Sequence, residues 1–398
     1  MKTLSLFFEV HRPMLLRTYR FFDMGVDHNY LDDARNRTAM QRAAMNVYQP
    51  MNALLADLIR AHGNRFHVSF YLSGLAIEQM RSFAPDALQS FRDLAATGCV
   101  EFVAGTYSDS LASLAGEEPF RDEVARHTEI IRREFGQTPR TLYNTAMLYS
   151  DSIGAMAASM GYQTMLGEGA RHLLGWKSPN YVYANPLNQK LRVLLRNYRL
   201  SDDIAFRFSD TRWSEWPLTA EKYLGWIQGD RGDTVNLCLD YDVFGSWQRA
   251  DSGIFDFVRA FVDQAIGSGF TFVTPAESAR AHQPIGILHA PHATSWADEE
   301  RDTSAWLGNE LQQEAFNKLY AQYEAVRQLD SPDLNHVWNF LQTADHFYWM
   351  GTKWFTEASR QNSNNPYGSS YDAFINYMNV LSDFINEIAR RKAAATSR

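Results

Sequence analysis

Two carboxylates one residue apart, Asp240 and Asp242, end an apolar run that extends from Val235 to Leu239. On a buried strand, acids at that spacing project from one side and Tyr241 from the other. Carboxyl groups held together this way suit general acid–base work. Gly245 and Trp247 follow, offering a turn and a flat apolar surface beside the acids. The same residues fit an Asp-rich strand-to-loop turn without chemistry, so the stretch alone leaves both readings open. His289-Ala290-Pro291-His292 is the one closely spaced histidine pair of interest. Its proline favours a loop over the helix on which such ligands converge, so no metal site is expected there or elsewhere.

The elements needed to position Asp240 recur along the chain. Apolar, strand-like runs occupy Thr3–Val10, Phe66–Leu72, Cys99–Ala104, Thr141–Ala146, Gln163–Leu166, Lys190–Arg196 and Val235–Asp240, with further candidates at Phe270–Val273 and Ile287–His289. Between several of them lie helical periodicities, at Arg42–His62, Glu118–Phe135 and Ile153–Met160. Arg17–Arg42 is polar and aromatic and reads as an excursion at the rim. Repeated strand–helix units predict a parallel α/β architecture, a barrel rather than an open sheet, whose active site would lie at the C-terminal rim of the strands. No glycine-rich phosphate fingerprint follows any strand, so no nucleotide cofactor is expected. After Ser304 the strands stop, and Trp306–Leu329, Asp333–Thr343 and Ser370–Arg391 read as a helical bundle. The expected division is a barrel over 1–303 and a helical domain over 304–398 packed on it, with the small basic tail Lys392–Arg398 fraying.

The 398 residues carry 38 Lys+Arg against 46 Asp+Glu, a formal charge of −8 without a long basic run. That balance argues against nucleic acid and against an anionic membrane surface. No run approaches a membrane span, and the apolar N-terminus is interrupted by Glu9, His11 and Arg12 as no leader would be. With only Cys99 and Cys238, a reducing, cytoplasmic setting is expected. Aromatic residues make up 14%, enough both to fill a large core and to furnish flat platforms for sugar rings.

Taken together, several motifs resemble glycoside hydrolase family 57, in its α-amylase-like branch. They are His11-Arg12-Pro13 after the first strand, Gly98-Cys99-Val100-Glu101, the stretch Leu239–Trp247, and Ala344-Asp345-His346-Phe347-Tyr348-Trp349-Met350. The segments Leu174–Tyr181, Leu200–Arg207 and Ser295–Asp302 add to the likeness. The resemblance implies an incomplete (β/α)7 TIM-like barrel with a C-terminal helical bundle, no cofactor, and retaining action on α-glucans such as starch, glycogen or maltooligosaccharides. It places Asp240 at the acid/base position. It marks His11, Glu101, Asp242, Trp247, Trp296, Asp345 and His346 as candidate substrate-binding residues, each with an ordinary structural role as the alternative.

One motif departs from the family pattern. In Asn144-Thr145-Ala146-Met147-Leu148-Tyr149-Ser150-Asp151 the nucleophilic Glu of the family falls on Ala146. Gly105 stands where an acid would be expected, and Asp242 shortens the usual Glu. Retaining hydrolysis needs two carboxyl groups about 5–5.5 Å apart, one of them the nucleophile. Three expectations follow: a glucan-recognising protein with hydrolysis weak or lost, a non-catalytic carbohydrate-binding protein, or an inverting glycosidase recruiting Asp151, Glu168, Asp202 or Asp203 as base.

Overall fold

The computed structural model describes residues 2–353 and 365–396. Seven strands form the core of the fold: β1 (Thr3–Val10), β2 (Val68–Leu72), β3 (Val100–Phe102), β4 (Thr141–Leu142), β5 (Thr164–Glu168), β6 (Arg192–Arg196) and β7 (Thr234–Asp240). All seven run parallel, in the order β3-β2-β1-β7-β6-β5-β4. A bridge between Ala104 and Leu142 brings β4 back to the end of β3. The sheet thus curls into an incomplete seven-stranded barrel wrapped by helices.

Side-chain alternation sorts the strand residues between two cores. Phe7, Tyr71, Val103, Tyr143, Leu166, Leu194 and Cys238 fill the barrel interior. Their neighbours, among them Phe8, Phe70, Phe102 and Leu239, pack outward against the helices. In register, Phe7 pairs with Cys238 and Glu9 with Asp240. Two residues beyond the interior pair Phe7 and Cys238, the same alternation delivers Glu9 and Asp240 to the inner rim.

Elsewhere the expected elements shift for local reasons. Thr271–Phe272 is a short strand pairing with β1 outside the ring. Ile287 makes one bridge to Ala184 rather than a strand, and Val182–Ala184 adds an antiparallel strand on β6. The rim excursion contains a helix, Asp33–Ala43, N-capped by Asp32 accepting from Arg35 N at 3.0 Å. It leads into Gln49–His62. The segment Trp306–Leu329 is broken into Ser304–Leu307, Glu310–Tyr320 and Tyr323–Leu329, the second capped by Asn309. Pro332–Leu341, Ala344–Trp349 and Ser370–Thr396 complete the C-terminal helices, so the basic tail is helical to Thr396 and its last two residues lie outside the described ones. One apolar cluster extends from Leu4 to Ile388 and joins these helices to the barrel wall.

Candidate active site

At the C-terminal rim of the strands lies a cleft of about 270 Å³. The end of β1 contributes Glu9, His11 and Arg12; the end of β7 contributes Asp240, Asp242 and Trp247. The loops after β3 and β4 bring Asp109, Thr145 and Ala146, and the C-terminal helices close the side with Trp306, Asp345 and Trp349. A second space beyond Asp240, Trp247 and Trp296 continues to Arg196, Asp202 and Phe206.

β7 ends at Asp240, and Asp242 sits in the following 3-10 turn. The two acids therefore do not project as neighbours on one strand, as the spacing alone suggests. Asp242 N donates to Asp240 Oδ1 at 2.7 Å, fixing one carboxylate by the backbone of the other. Asp242 itself is paired with the Arg12 guanidinium. Burial, then the neighbouring Asp242 charge, push the Asp240 carboxyl above the usual range. Glu9 is pushed well up by burial, then by Asp109 and Asp240, and Asp109 is raised chiefly by burial. A carboxyl in such surroundings holds its proton at higher pH than in water and can donate it.

Ala146 occupies a strained turn. It and Met147 both have positive φ, +47° and +57°, a conformation costly for residues with a Cβ and common at functional sites. The turn is pinned: Asn144 Nδ2 donates to Leu148 O at 3.0 Å and to Ser113 Oγ at 2.9 Å, and Thr145 Oγ1 donates to Ser110 O at 2.7 Å. Ala146 O accepts from Trp296 N at 2.9 Å, which ties one wall of the cleft to another. Gly105 has no room for an acid beside Tyr71 as it stands, because a Cβ there would come within 2.3 Å of the ring edge.

Two aromatic faces flank the acids. Trp247 stacks on Phe206 with ring centroids 5.8 Å apart and planes at 16°. Trp296 lies with the Arg196 guanidinium 5.4 Å from its ring centroid. Arg196 is held at 2.6 Å by Asp202 and at 3.3 Å by Glu168, and Arg301 reaches Asp202 at 3.2 Å. This buried network fixes the wall from behind.

Of the residues expected from the sequence, His11, Ala146, Asp240, Asp242, Trp247, Trp296 and Asp345 all line the cleft. Glu101 and His346 do not, which corrects their expected contact with substrate. Glu101 is engaged at the start of the strands, accepting from Thr141 Oγ1 at 2.6 Å and from Ala276 N at 3.1 Å. His346 is buried among the helices, its Nε2 donating to Phe340 O at 3.0 Å and its ring against Trp349 and Tyr377. The suggested replacement bases each have partners: Glu168 and Asp202 in the arginine network, Asp202 also lining the second space beside Asp240, Asp203 with Arg207 at 2.7 Å, and Asp151 with Ala290 N at 2.8 Å. Sequence reasoning missed Glu9 and Asp109. The first could have been found by its two-residue spacing from both Phe7 and His11; nothing in its neighbourhood marks the second.

Comparison with known proteins gives a consistent picture. The profile of Glycosyl hydrolase family 57 matches residues 5–291. The chain is 34% identical over 394 residues to the "Putative alpha-amylase" of Methanocaldococcus jannaschii, covering 95% of this chain and 83% of that one. The fold is similar to that of the family 57 branching enzyme from Thermococcus kodakaraensis, with a TM-score of 0.72, 12% identity, and coverage of 98% of this chain and 91% of that one. It is also similar to the 4-alpha-glucanotransferase from Thermococcus litoralis, with a TM-score of 0.62 and 15% identity, covering 87% of this chain. This chain spans 54% of the length of that enzyme. With a family profile covering well over half its length, the chain belongs to glycosyl hydrolase family 57.

Proposed function

We propose that this chain recognises an α-glucan or maltooligosaccharide in the rim cleft and has weak or no retaining hydrolysis of α-1,4-glucosidic bonds. The observation that carries the reading is Ala146, a methyl group in a pinned, strained turn lining the same cleft as the buried acid Asp240. A methyl group cannot attack an anomeric carbon, so the acid/base side of the chemistry lacks its partner. Trp247 and Trp296 offer the apolar faces that sugar rings stack on, and the similar folds named above are those of a 4-alpha-glucanotransferase and of a branching enzyme in complex with glucose. In this reading Asp240 is the proton donor, Asp242 and Arg12 hold it in place, and His11 and Asp345 meet sugar hydroxyl groups. Two buried free thiols, Cys99 and Cys238, fit a cytoplasmic protein.

The test compares the unmodified protein with Ala146→Glu on maltooligosaccharides and soluble starch. The unmodified protein should turn over far below the roughly 1–10³ s⁻¹ of ordinary enzymes, and the variant should gain hydrolysis that Asp240→Asn removes again. Ordinary turnover by the unmodified protein refutes the reading. Calorimetric titration separates recognition from catalysis, and no heat at millimolar sugar would refute the recognition half.

A further inference from the structure

At the end of the barrel opposite the rim cleft lies a larger cavity, of about 470 Å³. It sits where β4, β5 and β6 begin: Arg140 immediately precedes β4, Gln163 precedes β5, and Arg192 is the first residue of β6. The backbone holds these starts side by side, Gln163 N donating to Arg140 O at 3.3 Å and Arg192 N to Gln163 O at 2.9 Å. Helix Pro275–Ala281 forms another wall and supplies Arg280. It is anchored by the capping box of Thr274 and Glu277 and by Ala276 N, which donates to Glu101 Oε2 at 3.1 Å. Lys190 belongs to the turn after the buried Asn185, whose Oδ1 accepts from Leu187 N at 2.9 Å and from Asn188 N at 2.8 Å.

Three features set this cavity apart from ordinary solvated surface. Four cations line it, Arg140, Lys190, Arg192 and Arg280, and no Asp or Glu does, in a chain whose formal charge is −8. None of the four forms an ion pair among the described residues: Arg192 reaches only Gln283 Oε1, at 3.5 Å, and Arg280 Nε donates to Ala276 O at 3.2 Å. The carboxylates close by are committed, Glu101 to Thr141 and Ala276, Glu277 to His67 and Thr274 N. Like charges gathered without counter-charge repel one another, a cost that an anion in the cavity removes. The same walls carry the Tyr162 ring and apolar Leu191 and Ala279 beside the amide side chains of Gln163 and Asn188. Apolar surface with a few placed polar groups is the composition of small-molecule sites.

We propose that this cavity binds a small organic molecule carrying two phosphate groups. Each guanidinium matches phosphate oxygens as a two-pronged donor, and the lysine adds a point charge. Four positive charges balance two phosphate groups, each carrying roughly −1.5 to −2 at pH 7. One phosphate alone leaves about half of that charge uncompensated. A concave space of this size suits a small molecule rather than a nucleic-acid strand, and Tyr162 with its apolar neighbours takes the sugar or base that bears the phosphates. Bound there, the molecule ties the starts of β4, β5 and β6 to helix Pro275–Ala281 and stabilises the folded chain. The site lies at the other end of the strands from Asp240, so its occupancy is independent of whether the rim cleft takes an α-glucan.

Calorimetric titration of the full chain at low salt, with ADP and separately with glucose 1,6-bisphosphate, should find one site with a Kd below about 1 mM for at least one of them. The tighter of the two identifies the body of the ligand as nucleoside or sugar. Inorganic phosphate should bind more weakly than either, and added salt should weaken all three. Arg140→Gln combined with Arg280→Gln removes two exposed cations of the cavity and should weaken binding at least about tenfold. Arg60→Gln combined with Arg212→Gln removes the same charge from exposed positions elsewhere and should bind as the parent does. Circular dichroism confirms that each variant is folded, and excess maltooligosaccharide should displace nothing. No heat with either compound at millimolar concentration overturns the proposal. So does undiminished binding by the first arginine pair, equal weakening by the second, displacement by maltooligosaccharide, or inorganic phosphate binding as tightly as the two-phosphate compounds.

Discussion

Acidification should loosen the hold of helix Glu117–Phe135 on the barrel strands through His127, and the size of the effect follows from its pKa. His127 is fully buried: its Nε2 donates to Leu72 O at 2.7 Å and its Nδ1 accepts from Gly105 N at 3.1 Å. One ring nitrogen must be protonated and the other bare, so only the neutral imidazole fits. Burial accordingly pushes its pKa down from 6.5 to about 4. The unfolded chain takes up the proton first. The stability contributed by neutral His127 is therefore complete above pH 6.5, falls as the pH drops below that value, and is fully lost near pH 4. At 1.36 kcal/mol per pKa unit, this group alone accounts for about 2.5 kcal/mol between roughly pH 7.5 and pH 4.5. His127→Gln keeps one donor and one acceptor but does not titrate. Urea unfolding of both proteins at the two pH values cancels the contribution of the carboxyl groups, and the parent should lose about 2.5 kcal/mol more than the variant. Equal losses would mean that His127 is not held neutral and would refute the reasoning.

Arg12→Ala leaves Asp242 buried without its cation and should lower stability by about 3–5 kcal/mol, measured by chemical denaturation. Trp247→Ala and Trp296→Ala should each weaken maltooligosaccharide binding about tenfold in calorimetry, a loss of about 1.4 kcal/mol, without unfolding the protein. Gly105→Ala should destabilise by about 1–3 kcal/mol because its methyl group meets Tyr71. Pairing it with Tyr71→Leu should recover part of that loss in thermal melts.

The barrel was legible because parallel strands covered on both faces read as unbroken apolar runs, as in Val235–Leu239. Asp240 could be placed because it ends such a run. Glu101 misled for a reason of depth rather than face. It shares a side of the chain with the interior residue Val103 but lies two residues nearer the strand's start, where Thr141 and the first turn of Pro275–Ala281 take its oxygens. Helix Asp33–Ala43 escaped notice because it buries only Asn36, Met40 and Ala43, too few to make an apolar stripe. Asp109 had no signal of any kind: its place depends on a loop conformation and on Ala344, far along the chain. His11, by contrast, was visible from its position after β1 and Asp345 from the family resemblance, although Ser73, which holds the His11 ring, was not.

The seam in which Ala344 N donates to Asp109 O and Ser110 bridges to Thr343 also has a consequence for how the molecule is made. A nascent chain that has emerged only as far as Thr303 already holds Asp240, Ala146 and both tryptophan platforms, but lacks the wall formed by Trp306, Asp345 and Trp349. Domains can begin folding as they emerge during synthesis, so the barrel can form with its rim open and the cleft is finished last, when the closing helices pair with the loop after β3. A fragment ending near residue 303 would be expected to expose apolar surface along that open side and to need a chaperone until the remaining chain arrives.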